Sequence, residues 1–267
     1  MSYVPPDQLT EQMVEQGASK SSLSATQLML RAGLSVFLLG GATSLAITTA
    51  EQTGLEVLGA LVFPMGLAAV VLLGLELVTG NFALIPLALM ERRTTLLLML
   101  RNFGWVVLGH LIGGLLCALM FAALLSQFWT VEADPLIDGL IDSSVSQTLD
   151  YQQHGPLAGP SLAMLSGILC NWLVALGVVL GMTSNSTVGK MVALWPPIVA
   201  FYALDLEHSV VNFFLIPTGM MLGAPVDIGD WLLWNQIPVL LGNFVGGFLL
   251  TGLPLYLAYR SVRSREG

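Results

Sequence analysis

Two apolar stretches of this chain, from about 54 to 90 and from about 191 to 222, are too long for one straight membrane-spanning helix of ~20 residues. Each is also broken by polar residues near its middle. The first is interrupted at Glu76 and at Thr79-Gly80-Asn81, the second at Asp205, Glu207, His208 and Asn212. Irregular backbone at membrane depth survives only where it is buried in protein or lines a cavity. Matching breaks in the two halves of a chain point to a pathway through the protein.

Composition supports a membrane setting. Hydrophobic residues make up 55% of the chain and charged residues only 10%, with a mean hydropathy of +0.80. Four further apolar stretches lie near 32–50, 102–127, 157–182 and 233–259, giving six spans. Lys20, Arg31, Arg92, Arg93, Arg101, Lys190, Arg260, Arg263 and Arg265 all fall in segments on one side of that reading. The loops on the other side hold Glu51, Glu56, Glu132, Asp134, Asp138, Asp142, Asp150, Asp227 and Asp230, and no Lys or Arg. Basic residues near span ends stay cytoplasmic, so both termini are expected in the cytoplasm and the protein in the plasma (inner) membrane.

The chain divides into an N-terminal cytoplasmic amphipathic segment (1–31), a six-span channel domain (32–259) and a basic tail (260–267). The first segment is no secretory signal, because no basic region leads into an apolar core. Leu9, Met13 and Leu23 among polar residues suggest a short amphipathic helix, lying either on the membrane surface or under the bundle. An ordinary polar tail fits equally well. No basic patch suits nucleic acid. Cys117 and Cys170 lie in apolar sequence and read as buried structural thiols, with neither metal spacing nor a disulfide framework.

The halves repeat. Leu108-Gly109-His110-Leu111-Ile112-Gly113-Gly114 in the third span matches Leu241-Gly242-Asn243-Phe244-Val245-Gly246-Gly247 in the sixth. Three spans per half is an odd number, so the second half is inverted in the membrane: an all-α protein with a 3+3 inverted repeat and broken helices 2 and 5. The Gly-x-x-x-Gly spacing lets helix backbones approach closely, most simply within one protomer.

Ionisable groups at membrane depth are costly and need partners or a cavity. Glu76 and Glu207 suit a structural role, each accepting N–H groups freed where a helix breaks, and Asn212 belongs to the same break. Lining a pore is the other reading for both carboxylates. His208 is different, because imidazole both donates and accepts near neutral pH. It sits in one break and the Thr79 hydroxyl in the other, so an inverted repeat would bring them together near the midplane.

These stretches resemble the formate/nitrite transporter family. The likeness rests on Phe63-Pro64 through Glu76-Leu77-Val78-Thr79-Gly80-Asn81 and on Gly167-Ile168-Leu169-Cys170-Asn171-Trp172. It also rests on Glu207-His208-Ser209-Val210-Val211-Asn212, and on Leu241-Gly242-Asn243 before Gly246-Gly247. The resemblance implies an aquaporin-like protomer with its own pore, assembled as a homopentamer. It implies transport of formate, nitrite or, in one branch, hydrosulfide. His208 would be the central pore histidine bonded to Thr79, with Asn171 nearby. Leu67, Leu77 and Phe201 would form a cytoplasmic constriction, Phe63 and Val174 a periplasmic one. A lysine frequent in the family sixteen residues before Asn171 is here Gly155. Either His154 replaces it, or helix N-termini attract the anion, or this chain works without it.

The mechanism expected on this reading is entry of an anion, protonation at the His208–Thr79 site, and passage as the neutral acid, since a bare anion pays heavily to cross an apolar constriction. No cofactor or metal is expected, and the partners are small anions, protons, lipid and further copies of the chain. A neutral-solute channel would share the 3+3 plan, but the Asn-Pro-Ala tripeptide of aquaporins does not occur in the chain. A membrane enzyme would need a nucleophile–base or metal set that the sequence does not offer.

Overall fold

The computed structural model describes residues 3–131 and 134–260. Glu132, Arg263 and Arg265 from the charge reading, and the tail beyond Arg260, lie outside the described residues.

Within them the structure is helical: α1 (Pro6–Ser21), α2 (Ala25–Thr53), α3 (Glu56–Val62), α4 (Pro64–Leu72), α5 (Val78–Met90), α6 (Leu96–Leu125), α7 (Pro135–Ser146), α8 (Leu149–Gln153), α9 (Gly155–Met182), α10 (Thr187–Ala203) and α11 (Ser209–Leu222), followed by a C-terminal helix, Ile228–Tyr259. Four of these are long and apolar enough to cross a bilayer: α2, α6, α9 and the C-terminal helix, of 29, 30, 28 and 32 residues. The remaining apolar helices are shorter, and α5 and α11, at 13 and 14 residues, fall well short of the ~20 needed alone.

Local sequence sets the boundaries. Ser24 caps α2 with a capping box through Gln27, which starts this helix seven residues before the expected span. Pro64, lacking an N–H, divides α3 from α4. Gly74, at φ 63°, turns the chain out of α4, a backbone region that favours glycine. The expected interruptions shift accordingly. The non-helical segment of the first stretch is 73–77, and Thr79-Gly80-Asn81 opens α5. In the second it is 204–208, and Asn212 lies in the first turn of α11. Polar side chains at both places serve the start of a helix rather than its interruption.

The Gly-x-x-x-Gly pairs pack inside the protomer. An added Cβ on Gly109 would meet the Met29 carbonyl of α2 at 2.7 Å, and one on Gly113 would meet Gly33. On the C-terminal helix, Gly242 and Gly246 lie in the same way against the Met164 and Ile168 carbonyls of α9. These two close helix pairs enclose α5 and α11. Every residue from Val78 to Ala88 and from Ser209 to Gly219 is buried. The outer faces of the long helices carry Leu97, Leu124, Leu165 and Leu241, all more than half exposed. An array of that size is at home in lipid or against another copy.

The N-terminal segment is part of the bundle. Leu9, Met13 and Val14 of α1 are buried with Leu84, Leu87 and Tyr256. Gly17 sits against the Leu84 carbonyl, where a Cβ could not fit. The C-terminal helix contains two π-helical stretches, Trp231–Gln236 and Gly246–Gly252, which the sequence periodicity does not reveal. Such turns are frequent at functional sites.

Candidate functional site

The site is built where α5 and α11 begin. A helix start leaves backbone N–H groups without intrahelical acceptors, and here two helices start in a buried place. His110 on α6 accepts the Val78 N–H through Nε2 at 3.1 Å, while its Nδ1 faces the Ala32 carbonyl at 3.0 Å. Asn243 on the C-terminal helix does the same for α11. Its Oδ1 accepts the Ser209 N–H at 2.9 Å, and its Nδ2 donates to the Gly167 carbonyl at 2.8 Å. The matching positions noted in the sequence thus do matching work.

The two carboxylates stand beside these starts but hold different groups from those expected. Glu76, 1% exposed, pairs with Lys20 Nζ at 2.9 Å and accepts from Asn81 Nδ2 at 2.8 Å. Asn81 also donates to Asn102 Oδ1 at 2.9 Å, and Asn102 donates to the Lys20 carbonyl at 2.9 Å. Glu207, 2% exposed, accepts from Asn212 at 2.7 Å and from Asn235 at 2.9 Å. Asn212 donates to Asn235 Oδ1 at 2.7 Å, and Asn235 to the Gln147 carbonyl at 2.7 Å. The Val78 and Ser209 N–H groups go to His110 and Asn243, and asparagine amides bind the carboxylates. Lys20, Asn102 and Asn235 were not singled out from sequence. A buried asparagine in an otherwise apolar helix is the signal that could have found the latter two.

Between the two starts, His208 Nε2 lies 3.1 Å from Thr79 Oγ1. His208 Nδ1 accepts the Val211 N–H at 3.4 Å, so the ring is neutral with its proton on Nε2, donated to Thr79. The threonine hydroxyl hydrogen is then free to point elsewhere. Asn171 donates to the Thr79 carbonyl at 3.0 Å and to the Asn243 carbonyl at 2.6 Å. Its Oδ1 is buried without a hydrogen-bond partner among the described residues.

Aromatic and aliphatic side chains close around this centre. The Phe201 ring lies 5.7 Å from the His208 ring and 5.5 Å, edge-on, from Phe63, which stacks on Tyr202. Phe201 therefore stands with Phe63, not apart from it as the resemblance implied. Leu67, Leu77 and Val174 are also buried in this core. Along α9, Val174 lies one turn past Asn171 toward Met182, away from the Gly155 end.

A cavity of about 570 Å³ opens onto the centre. His208 and Asn212 form its buried floor, and Glu51, Glu56, Asp142 and Asp205 its exposed rim; no Lys or Arg lines it. His154 is exposed at the junction of α8 and α9 and does not line this cavity. No group of three or more His, Cys, Asp or Glu among the described residues could hold a metal ion.

A family model described as formate/nitrite transporter matches residues 7–257. An uncharacterized transporter of Bacillus subtilis (strain 168), YrhG, is 32% identical over all of this chain and 98% of its own length. The chain belongs to the formate/nitrite transporter family. That family comprises channels and transporters, not enzymes, and this member is a multi-pass membrane protein. Its fold is similar to a solved structure described as an FNT family ion channel, with a TM-score of 0.80, 22% identity, and coverage of 94% of this chain and 98% of the other. A second structure, described as a pentameric formate channel with formate bound, gives a TM-score of 0.69 at 24% identity, covering 88% and 97%. In this formate/nitrite transporter family member, the motifs that carry the likeness are those that position Thr79, Asn171, His208 and Asn243.

Proposed function

We propose that this protein transports small monovalent weak-acid anions, formate or nitrite, through a pore in each protomer of a homopentamer, with a proton taken up at the central histidine. The observation that carries this is the His208–Thr79 bond, 3.1 Å long and buried between two helix starts. Six spans in a 3+3 inverted repeat, with α4–α5 and α10–α11 as the broken pairs, account for the duplicated hydrogen-bond networks. The basic end, with Lys20, Arg92, Arg93 and Lys190, faces the cytoplasm with both termini, and the acid-rimmed cavity faces outward across the plasma membrane.

The chemistry follows from the donors. Helix N-termini carry positive partial charge, and α5 and α11 both begin here. The Thr79 hydroxyl, its oxygen already accepting from His208, offers its hydrogen to an anion. In this poorly hydrated place a carboxylate or nitrite gains affinity for protons, because desolvation disfavours the charged form. It takes a proton that reaches the His208–Thr79 site from bulk solvent through cavity water, so that the pair ends in its starting protonation state, and crosses the remaining constriction as the neutral acid. Phe63 and Phe201 narrow the acid-lined side; Leu67, Leu77 and Val174 narrow the other.

The test is flux into liposomes holding the purified protein, comparing formate, nitrite and hydrosulfide across a pH gradient. Selective, acid-stimulated entry supports the reading and names the substrate. Folded protein that moves none of these anions at any pH overturns it.

A further inference from the structure

The charged groups lining the cavity over the central site are all acids. Glu51 comes from the end of α2, Glu56 from the start of α3, Asp142 from α7 and Asp205 from the turn between α10 and α11. The other titratable side chains on its wall are Tyr202 of α10 and His208 at the α11 start, and Glu207 stands behind Asn212 at 2.7 Å. All four rim carboxylates are exposed, and none forms an ion pair with a cation among the described residues.

Deeper in the cavity lie two acceptors with nothing to accept. Asn212, 1% exposed, spends its amide hydrogens on Glu207 and Asn235, each at 2.7 Å. Its Oδ1 has no hydrogen-bond partner among the described residues. Gln147 Oε1, on the same wall, is likewise buried without one. A buried acceptor left unmet is costly, so both call for a donor. A polar cavity of about 570 Å³ has room for several waters at about 30 Å³ each, and water is such a donor. His208 lines the same cavity, so the space at the rim is continuous with the space over the imidazole.

We propose that this cavity is a proton-collecting vestibule: Glu51, Glu56, Asp142 and Asp205 take protons from the solvent outside, and water held on the Asn212 and Gln147 oxygens carries them to the His208–Thr79 site. The inference rests on the transport reading above. At neutral pH the free proton stands at ~10⁻⁷ M, so capture even near ~10¹⁰ M⁻¹s⁻¹ supplies only about 10³ protons per second. A cleft lined by one sign of charge raises the local concentration and arrival rate of counter-ions by about 10- to 1000-fold. The same field lowers the anion concentration at the rim by the factor by which it raises that of the proton, so the local concentration of neutral acid is unchanged. What the rim changes is how soon a proton finds an anion that has reached the two helix starts. Each carboxylate binds a proton and releases it to cavity water. The water hands it on to the anion, where an O–H bond forms, and rim, water and the His208–Thr79 pair all return to their starting states. One proton and one anion leave together as the neutral acid.

The test uses the full-length protein in liposomes with formate as probe, at neutral pH and constant ionic strength, in dilute and in concentrated phosphate buffer. Wild-type flux should hardly depend on the buffer concentration, because the rim supplies the protons. The variant with Glu51→Gln, Glu56→Gln, Asp142→Asn and Asp205→Asn together should lose about tenfold in dilute buffer and recover toward wild type in concentrated buffer, which delivers protons in place of the rim. Asp138→Asn, on α7 but outside the cavity, should behave as wild type. If the fourfold variant does not fold, Glu51→Gln with Asp142→Asn carries the same test with a smaller drop. Flux that falls in the neutral-rim protein but is not recovered by buffer means a structural role and overturns the proposal. Flux that is unchanged, or that rises because the rim only repelled the anion, overturns it too, as does a wild type already dependent on buffer or the same dependence in Asp138→Asn. A folded wild type that moves no formate in any buffer overturns the transport reading instead.

Discussion

Thr79 and His208, 129 residues apart in the chain, share a hydrogen bond of 3.1 Å at the point where two helices begin. The bond fixes the ring through Nε2 while the Val211 N–H fixes it through Nδ1. The imidazole thus has no free nitrogen, and on the transport reading proposed above the threonine hydroxyl is the group left to meet a substrate.

Thr79→Val tests that division of labour. The replacement keeps the shape and removes the hydroxyl, leaving His208 Nε2–H buried and unpaired at a cost of about 1–3 kcal/mol. Formate flux should fall by roughly tenfold or more while the helical fold survives, as flux assays and thermal melting on one preparation would reveal.

His208→Asn separates the two functions of the ring. The asparagine oxygen can still cap α11 by accepting the Val211 N–H, but nothing replaces Nε2. Acid-stimulated import should slow sharply, with any passive anion leak left in place. Uptake that keeps its wild-type pH dependence in this variant would end the proton-relay idea.

Lys20→Met should destabilise the protein more than a surface substitution does. It leaves the Glu76 carboxylate, 2% exposed at its side chain, without its cation. Breaking such a pair costs up to ~3–5 kcal/mol when fully buried, and the 20% exposure of Lys20 lowers this to about 2–3 kcal/mol. Adding Glu76→Gln should recover most of the loss, a coupling that chemical denaturation of the four proteins of a double-mutant cycle would quantify.

Gly246→Ala places a methyl group against the Ile168 carbonyl of α9. Neither backbone has room to move, so the substitution should cost about 1–3 kcal/mol by overpacking. A drop in melting temperature larger than that of Gly104→Ala, where an added Cβ meets nothing within 4 Å, is the expected result.

Much of this arrangement is legible in the sequence because it is written in local chemistry. Overlong apolar runs with Glu76, Thr79, Glu207 and His208 inside them had to place those residues at special backbone. The paired Gly109/Gly113 and Gly242/Gly246 had to mark close helix contacts. Long-range partners were beyond reach for a physical reason. Lys20 reads as one more basic residue near a membrane surface until α1 is seen packed against α5. The contact between the Phe201 and Phe63 rings, 5.5 Å apart, is likewise made between distant segments, and no local pattern gives it.

The enclosure of α5 and α11 has a mechanical consequence. Both are wrapped by protein along eleven successive residues each, Val78–Ala88 and Ser209–Gly219, so neither presents that length to lipid. A thinner or thicker bilayer must strain or tilt the surrounding long helices, whose leucine faces meet the acyl chains. The axial pair is insulated from that load, like a spindle inside a collar. The spacing between Thr79 and His208 should accordingly hold from one lipid composition to another, even where the outer helices lean.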